Sequence, residues 1–352
     1  MNRRSGSFES DRRPERVNAP TGGDEELQAE VSRFNDLQDK LALAGIRSEL
    51  ADLEATVANL PAAVQALRDR GYVFKSFLAK KSETLAAQWA DVRPRVEAAL
   101  QAQQPALQRQ AASVQMILQR GTKAGPALST LESQVDAAVR SLEAMYQPLQ
   151  ENANQAKRQV EDVTWTLQQV EQASFSFLAT EAPVEAVPAN WKKPDDKDGV
   201  DGVLYLTDMR LIFEQKEEVA TKKVLFVATQ KQKLQALQWA VPVGEVEKSE
   251  SSKRGFLGKD DFLTLTLSTG RPFRSTDLHL KGETGEAWNG YIARVKSGDI
   301  AKERTVPVDQ KAVERAANAP TKCNVCGATL TQTVLRGQTE ITCEYCGSKI
   351  RL

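Results

Sequence analysis

From about residue 24 to residue 177 apolar side chains return every three or four positions, and after that they alternate in short runs. The first period is that of helices packed along one stripe, and the second is that of half-buried strands. The most regular helical run is Leu128, Leu131, Val135, Ala138, Leu142, Met145 and Leu149. It predicts a heptad seam that continues through Ala156, Val163, Val170 and Phe177, with polar Asn152 at one seam position to fix register. Shorter seams pass through Leu27, Val31, Phe34 and Leu41, and through Val64, Leu67, Phe74, Leu78, Leu85, Trp89, Val92 and Val96.

Pro61 and the stretch from Gly121 to Pro126 predict breaks, giving three helices over 24–59, 62–119 and 127–177. Short connections make neighbours antiparallel, and Pro94 and Pro105 predict kinks in the second helix. A thin bundle buries little surface per residue. Residues 24–177 are therefore expected to form a three-helix coiled-coil bundle that associates with itself as a homo-oligomer or with a partner helix.

Period-two runs predict strands over Glu185–Trp191, Gly202–Thr207, Arg210–Gln215, Lys223–Ala228, Leu237–Val241, Val243–Ser249, Phe262–Ser268 and Arg271–Thr276. One helix follows over Gly285–Val295, with Trp288, Tyr291, Ile292 and Val295 at helical spacing. Many short strands at close spacing indicate a small barrel or sandwich.

The stretches DGVLYLTDMRLIFEQK, WAVPVGEVEKSE, DFLTLTLSTGRPFR and GEAWNGYI together resemble the GRAM and pleckstrin-homology-like superfold over residues 178–298. The resemblance implies a β-barrel plugged at one end by its C-terminal helix, with Trp288 in the plug. It also implies a module that binds phosphoinositides, other lipids or proteins. Lipid-binding pleckstrin-homology domains use a basic pocket near their first hairpin. Here that hairpin carries Asp198, Asp201 and Asp208 beside Lys192, Lys193 and Lys197, and residues 191–300 hold 18 Lys and Arg against 17 Asp and Glu. A strong headgroup pocket is not expected from that balance. The loop SSKRGFLGKD, residues 251–260, is a sharper candidate, because Phe256 and Leu257 sit between two glycines with Lys253, Arg254 and Lys259 around them. An apolar tip with basic shoulders suits a membrane interface or a partner groove, and the alternative is a tip folded back on the barrel.

Composition narrows the picture further. The 352 residues carry 47 basic and 47 acidic side chains, so no net field recruits nucleic acid or anionic lipid. Residues 1–23 hold five arginines without hydrophobic period and predict a disordered arm. Neither a long apolar window nor a signal-peptide core follows, which predicts a cytoplasmic protein, peripheral at a membrane where the loop engages one. The single histidine, His279, falls in a loop and marks no catalytic constellation.

All four cysteines lie in the last thirty residues, as Cys323-x2-Cys326 and Cys343-x2-Cys346 separated by sixteen residues. This spacing predicts a tetrahedral zinc site, and each pair is followed by glycine, which lets the backbone turn back toward the thiolates. Residues 321–352 are thus expected to form a zinc ribbon, beyond a linker over 299–320. Four thiolates leave no open coordination position, so the zinc is structural. The ribbon is mildly basic with Tyr345 its only aromatic, which favours protein over nucleic acid. The sequence therefore describes a multidomain α and β protein: a non-enzymatic scaffold or adaptor that self-associates and binds a protein partner or membrane surface. The alternative is a nucleic-acid-associated, transcription-related zinc-ribbon factor.

Overall fold

The computed structural model describes residues 22–193, 199–224 and 227–352. The expected arm lies almost wholly outside them, as do Lys197 and Asp198. Four helices come first: α1 over Gly22–Leu41, α2 over Ala44–Asp69, α3 over Phe77–Gln119 and α4 over Gly125–Glu171. The chain divides into two compact units, residues 1–55 with 87–152, and residues 56–86 with 153–352.

In the first unit Glu26, Arg33 and Lys40 stand one heptad apart along α1 and meet Lys123, Glu132 and Asp136 in that order. The start of α4 therefore runs alongside α1 in the same direction. Further on, Glu49 of α2 accepts a hydrogen bond from the Tyr146 hydroxyl at 2.6 Å, so α2 keeps the direction of α1. The reversal expected at Pro61 does not occur there. Pro61 lies within α2, where Val57, Leu60 and Val64 are buried around it and outweigh the one lost amide donor. α2 ends instead at Gly71, whose φ of 83° lets its N–H reach Arg68 O and the Tyr72 N–H reach Leu67 O. This paired closure is favoured by glycine because a side chain resists the left-handed backbone.

The α4 seam is buried through Leu128, Leu131, Val135, Ala138 and Leu142, and again at Leu149, Ala156 and Val163, as expected, but from Leu142 onward its alternate position slips by one residue, from Met145 and Asn152 to Tyr146 and Ala153. Tyr146, Leu149, Ala153, Ala156, Val160, Val163 and Leu167 take the inward positions, while Asn152 is exposed and Met145 only half-buried. An extra step of four between Leu142 and Tyr146 rephases the stripe, much as an insertion rephases a heptad repeat. Tyr146 explains the choice, because its ring fills the seam while its hydroxyl escapes to Glu49.

The second unit contains a seven-stranded antiparallel sheet: β1 Pro183–Lys192, β2 Val200–Thr207, β3 Arg210–Val224, β4 Val227–Pro242, β5 Val246–Arg254, β6 Asp260–Leu267 and β7 Ser275–Leu280. Its order is β4-β3-β2-β1-β7-β6-β5, so β4 and β5 form its two edges. Of the small barrel or sandwich expected, the structure shows one seven-stranded antiparallel sheet. The strand predicted over Lys223–Ala228 straddles the passage from β3 to β4, and the one predicted from Val243 begins at Val246 after a single 3-10 turn. The last predicted strand is displaced, because Arg271–Arg274 lies in the connection before β7.

Strand β2 is buried at every position except Asp201. One of its faces carries Leu204 and Leu206; the other carries Val203 and Tyr205, which join Ala186 and Ile212 against Trp165, Val170 and Phe175 from the end of α4 and the segment after it. Helix α5, Gly285–Ser297, packs on β5 and β6 and buries Trp288, Ile292 and Val295. Thr284 caps its N-terminus by accepting from Ala287 N–H.

The stretch expected as a linker is folded down at its start. Arg304 stacks 4.9 Å above the Phe74 ring and pairs with Asp208, and the Thr305 N–H donates to Val73 O at 2.8 Å. Helix α6, Gln310–Ala317, then leads to the cysteine module, which contains the short strands β8, Glu340–Thr342, and β9, Lys349–Arg351.

Candidate functional site

The two cysteine pairs are built on one repeated backbone pattern. Cys323 N–H donates to Ala328 O and Gly327 N–H to Cys323 O; Cys343 N–H donates to Ser348 O and Gly347 N–H to Cys343 O. Gly327 and Gly347 have φ of 76° and 73°, the left-handed turn for which glycine was expected after each pair. Each turn is closed behind by pairing, Lys322 with Thr329 and Thr342 with Lys349. The hairpin expected between the pairs contributes only its turn at Gly337, since β8 pairs across the second cysteine turn with β9.

All four sulfur atoms lie within 4.8 Å of one another, with Cys323 to Cys346 and Cys326 to Cys343 both at 3.7 Å. A zinc ion bound by four thiolates at about 2.3 Å has tetrahedral sulfur edges of about 3.8 Å, so the donor set fits such an ion. A disulfide needs about 2.05 Å, and the cysteines are free. Ser348, which the sequence reading passed over, places its hydroxyl 2.9 Å from Cys346 Sγ and 3.3 Å from Cys323 Sγ. That hydroxyl, with the backbone N–H groups of Cys326 and Val325, lowers the Cys323 thiol to about 6. A polar residue directly after the second Cys-x2-Cys-Gly is the signal that would have found it. A metal held here would supply folding energy, because the module's own core is Cys323, Cys343 and Ile350 with Ala328 and Leu330 against them. The tips of the two turns are apolar and open, with Val325 70% and Tyr345 76% exposed at equivalent positions.

The β5–β6 loop has the second exposed tip. Phe256 is 84% and Leu257 76% exposed, so the loop is not folded back on the sheet. Its backbone is bent sharply: Gly255, Leu257 and Gly258 all have positive φ, and a Cβ on Gly255 would collide with the Asp260 carboxylate. The basic shoulders are partly engaged. Lys253 lies 3.4 Å from Asp261, and Arg254 pairs with Asp277 while stacking on Phe262, which itself stacks on His279. Lys259, the third of the expected trio, borders the tip directly.

Two buried polar clusters, invisible in the sequence pattern, fasten the second unit. Lys75 Nζ reaches Glu185 Oε2 at 2.7 Å, and Thr166 and Tyr72 reach the same strand from α4 and from the α2–α3 connection. Burial raises the Glu185 carboxyl despite Lys75, and also raises Asp162 and Glu283 nearby. In the second cluster, fully buried Glu181 accepts from both Arg210 nitrogens, from Thr207 Oγ1 and from Leu178 N–H. Thr207 also accepts from Met209 and Arg210 N–H, which is what the Leu-Thr-Asp-Met-Arg turn of the resemblance accomplishes physically. Asp208 accepts from Ala182 N–H and binds Arg304, and burial raises its carboxyl.

No family model and no curated protein matches the chain. Solved structures that match include the Vps36 N-terminal PH domain, at 13% identity over 36% of this chain and 94% of that one, with a TM-score of 0.23. The DH/PH domains of PDZ-RhoGEF in complex with activated RhoA match at 13% identity over 80% of this chain and 97% of that one, with a TM-score of 0.26. An activated truncation of Vav1 matches at 14% identity over 78% and 76%, with a TM-score of 0.25. At such scores the likeness carries no activity or ligand across. The first two of these structures are described as containing PH domains.

Proposed function

We propose that the protein is a non-enzymatic adaptor whose PH-like sheet presents the loop Lys253–Lys259 to an anionic membrane surface. A structural zinc on Cys323, Cys326, Cys343 and Cys346 forms its C-terminal ribbon, and its helices self-associate as a coiled coil. The observation that carries this reading is the paired exposure of Phe256 and Leu257 on a sharply bent loop. Two side chains are far too little for a stable protein interface, which buries about 800 Å² per partner, whereas a bilayer adapts to a small wedge. Burying them contributes about 1.5 to 3 kcal/mol each. Lysines near an anionic surface add about 1 kcal/mol apiece, reduced here for Lys253 by its pairing with Asp261. The attachment is therefore weak and reversible, and self-association strengthens it by avidity.

Sedimentation with phosphatidylserine vesicles tests this reading. The wild-type protein sediments with them at low salt and the double variant Phe256→Ser, Leu257→Ser does not. Equal sedimentation of both proteins, or of neither, removes the membrane from the proposal. Metal analysis of purified protein tests the zinc, with one equivalent expected.

A further inference from the structure

The sequence separates the cysteine module from the rest by a linker, but the fold ties it to one place. Ala179 N–H donates to Val334 O at 3.1 Å, Arg336 N–H donates to Phe177 O at 2.9 Å, and Leu178 pairs with Leu335 as an antiparallel bridge. The Arg336 guanidinium lies 4.8 Å over the Phe177 ring. The turn that bears these groups, Val334 to Gln338, belongs to the stretch between the two cysteine pairs. Its partner, Phe177 to Ala179, is the connection between α4 and β1.

That connection has two sets of anchors within the second unit. One set involves β3 and the β2–β3 turn: Ser174 N–H on Glu214, Ala182 N–H on Asp208, Arg210 on Ser176 O, and Leu178 N–H on Glu181, a carboxylate of the connection that Arg210 holds. The other set comes only from the cysteine module. We propose that the module is a metal-dependent latch: its folding around a metal holds residues 334–336 against Phe177–Ala179, and metal loss releases them. This rests on the proposal that the four cysteines bind zinc.

A module of about thirty residues has too small a core to stand without its metal, so chelation disorders the turn at Gly337. The first set of anchors does not involve the module and persists. Release then uncovers Phe177 and Leu178 and leaves Ala179 N–H and Phe177 O without partners, an extended apolar edge of the kind that accepts another strand. Metal occupancy thus decides whether a strand-accepting edge is covered by this chain's own residues.

Residue-resolved hydrogen exchange on the full-length protein, with zinc and after chelation, tests the latch. The Ala179 amide is expected to exchange at least tenfold faster after chelation, while Leu178 and Ala182, held by the Glu181 and Asp208 carboxylates, keep their rates. Zinc-loaded Arg336→Ala is expected to retain its metal yet exchange faster at Ala179, which separates the contact from the metal. Faster exchange over 323–352 with Ala179 unchanged overturns the latch and leaves the zinc reading intact. A protein that takes up no zinc overturns both. An unchanged Ala179 rate in zinc-loaded Arg336→Ala overturns the part assigned to that arginine.

Discussion

Among the described residues, both units carry exposed ion pairs, but only the second also buries them. In the first, Arg33 with Glu132 and Lys40 with Asp136 keep 29 to 59% of each side chain exposed, and the seam they flank is apolar. In the second, Lys75 and Glu185 are 9% and 2% exposed, and Glu181 is fully buried beneath Arg210. A stripe of Leu and Val accepts many sequences of similar volume, whereas a buried carboxylate accepts only the geometry that satisfies it. The first unit therefore needs only to pack. The second must hold a sheet, three helix ends and a cysteine module in one arrangement, and its inward charges specify that arrangement.

The sharpest way to break this contrast is to remove one buried charge. Lys75→Met should destabilise the second unit by about 3 to 5 kcal/mol, because Glu185 is left buried and unpaired. Four of the five tryptophans, Trp165, Trp191, Trp239 and Trp288, lie in that unit, so their fluorescence during urea unfolding reads it out. Adding Glu185→Leu should recover most of the loss, and a single variant no weaker than the double would show that the pair specifies nothing. The same cluster predicts a pH dependence. Glu283 is raised by burial and then by Glu185 and Asp162, so its contribution is fully present below the ordinary glutamate range and is lost as pH rises through the raised folded value. Glu283→Gln should therefore gain on the wild type as pH goes from 4 to 7, and a difference that stays flat would contradict the sign.

Cavity formation tests the first unit on its own terms. Leu142 is fully buried at the point where the seam slips, and Leu142→Ala should cost about 3 kcal/mol, within the usual range for a core leucine. Circular dichroism during denaturation registers it as earlier loss of helix. Tyr146→Phe keeps the ring and removes the hydroxyl bond to Glu49, with an expected cost of about 1 kcal/mol. Asn152→Leu should change stability by less than about 0.5 kcal/mol, because the slip leaves that position outside the seam. A large stabilisation by Asn152→Leu would mean that the heptad register continues unshifted.

These outcomes follow the line between what the sequence showed and what it hid. The helices, most of the strands, the Trp288-bearing helix and the glycine turns around the cysteines all depend on residues near one another in the chain, where period and spacing record them. The reversal at Gly71 was hidden because Pro61 carries the stronger local stop signal, and burial of Val57, Leu60 and Val64 overrode it. The slip at Tyr146 was hidden because Met145 fits the apolar alternation better, although tyrosine brings its own partner in Glu49. The clusters around Glu185 and Glu181 join residues up to 112 positions apart, and no spacing rule connects Lys75 to Glu185. One clue was available: VLYL and LIF are continuous apolar runs rather than alternating ones, which is what strands covered on both faces require.

The smallest effect is expected at the exposed ion pairs of the first unit. Arg33 reaches Glu132 through two nitrogens, at 3.1 and 2.6 Å, and touches Ser129, which is good geometry for an exposed pair. Water nevertheless solvates both ions in the unfolded chain, and two long side chains give up rotamer freedom to meet. Arg33→Ala is therefore expected to lower the urea midpoint only slightly, and Lys40→Ala no more than that. Salt should erase most of the difference, since at 1 M the screening length falls to about 3 Å. Urea midpoints of wild type and Arg33→Ala, measured by circular dichroism at low salt and at 1 M, decide the point. A loss as large as that of Lys75→Met that persists at high salt would place Arg33 with Lys75, among the charges that specify structure, and the contrast between the two units would fail at that residue.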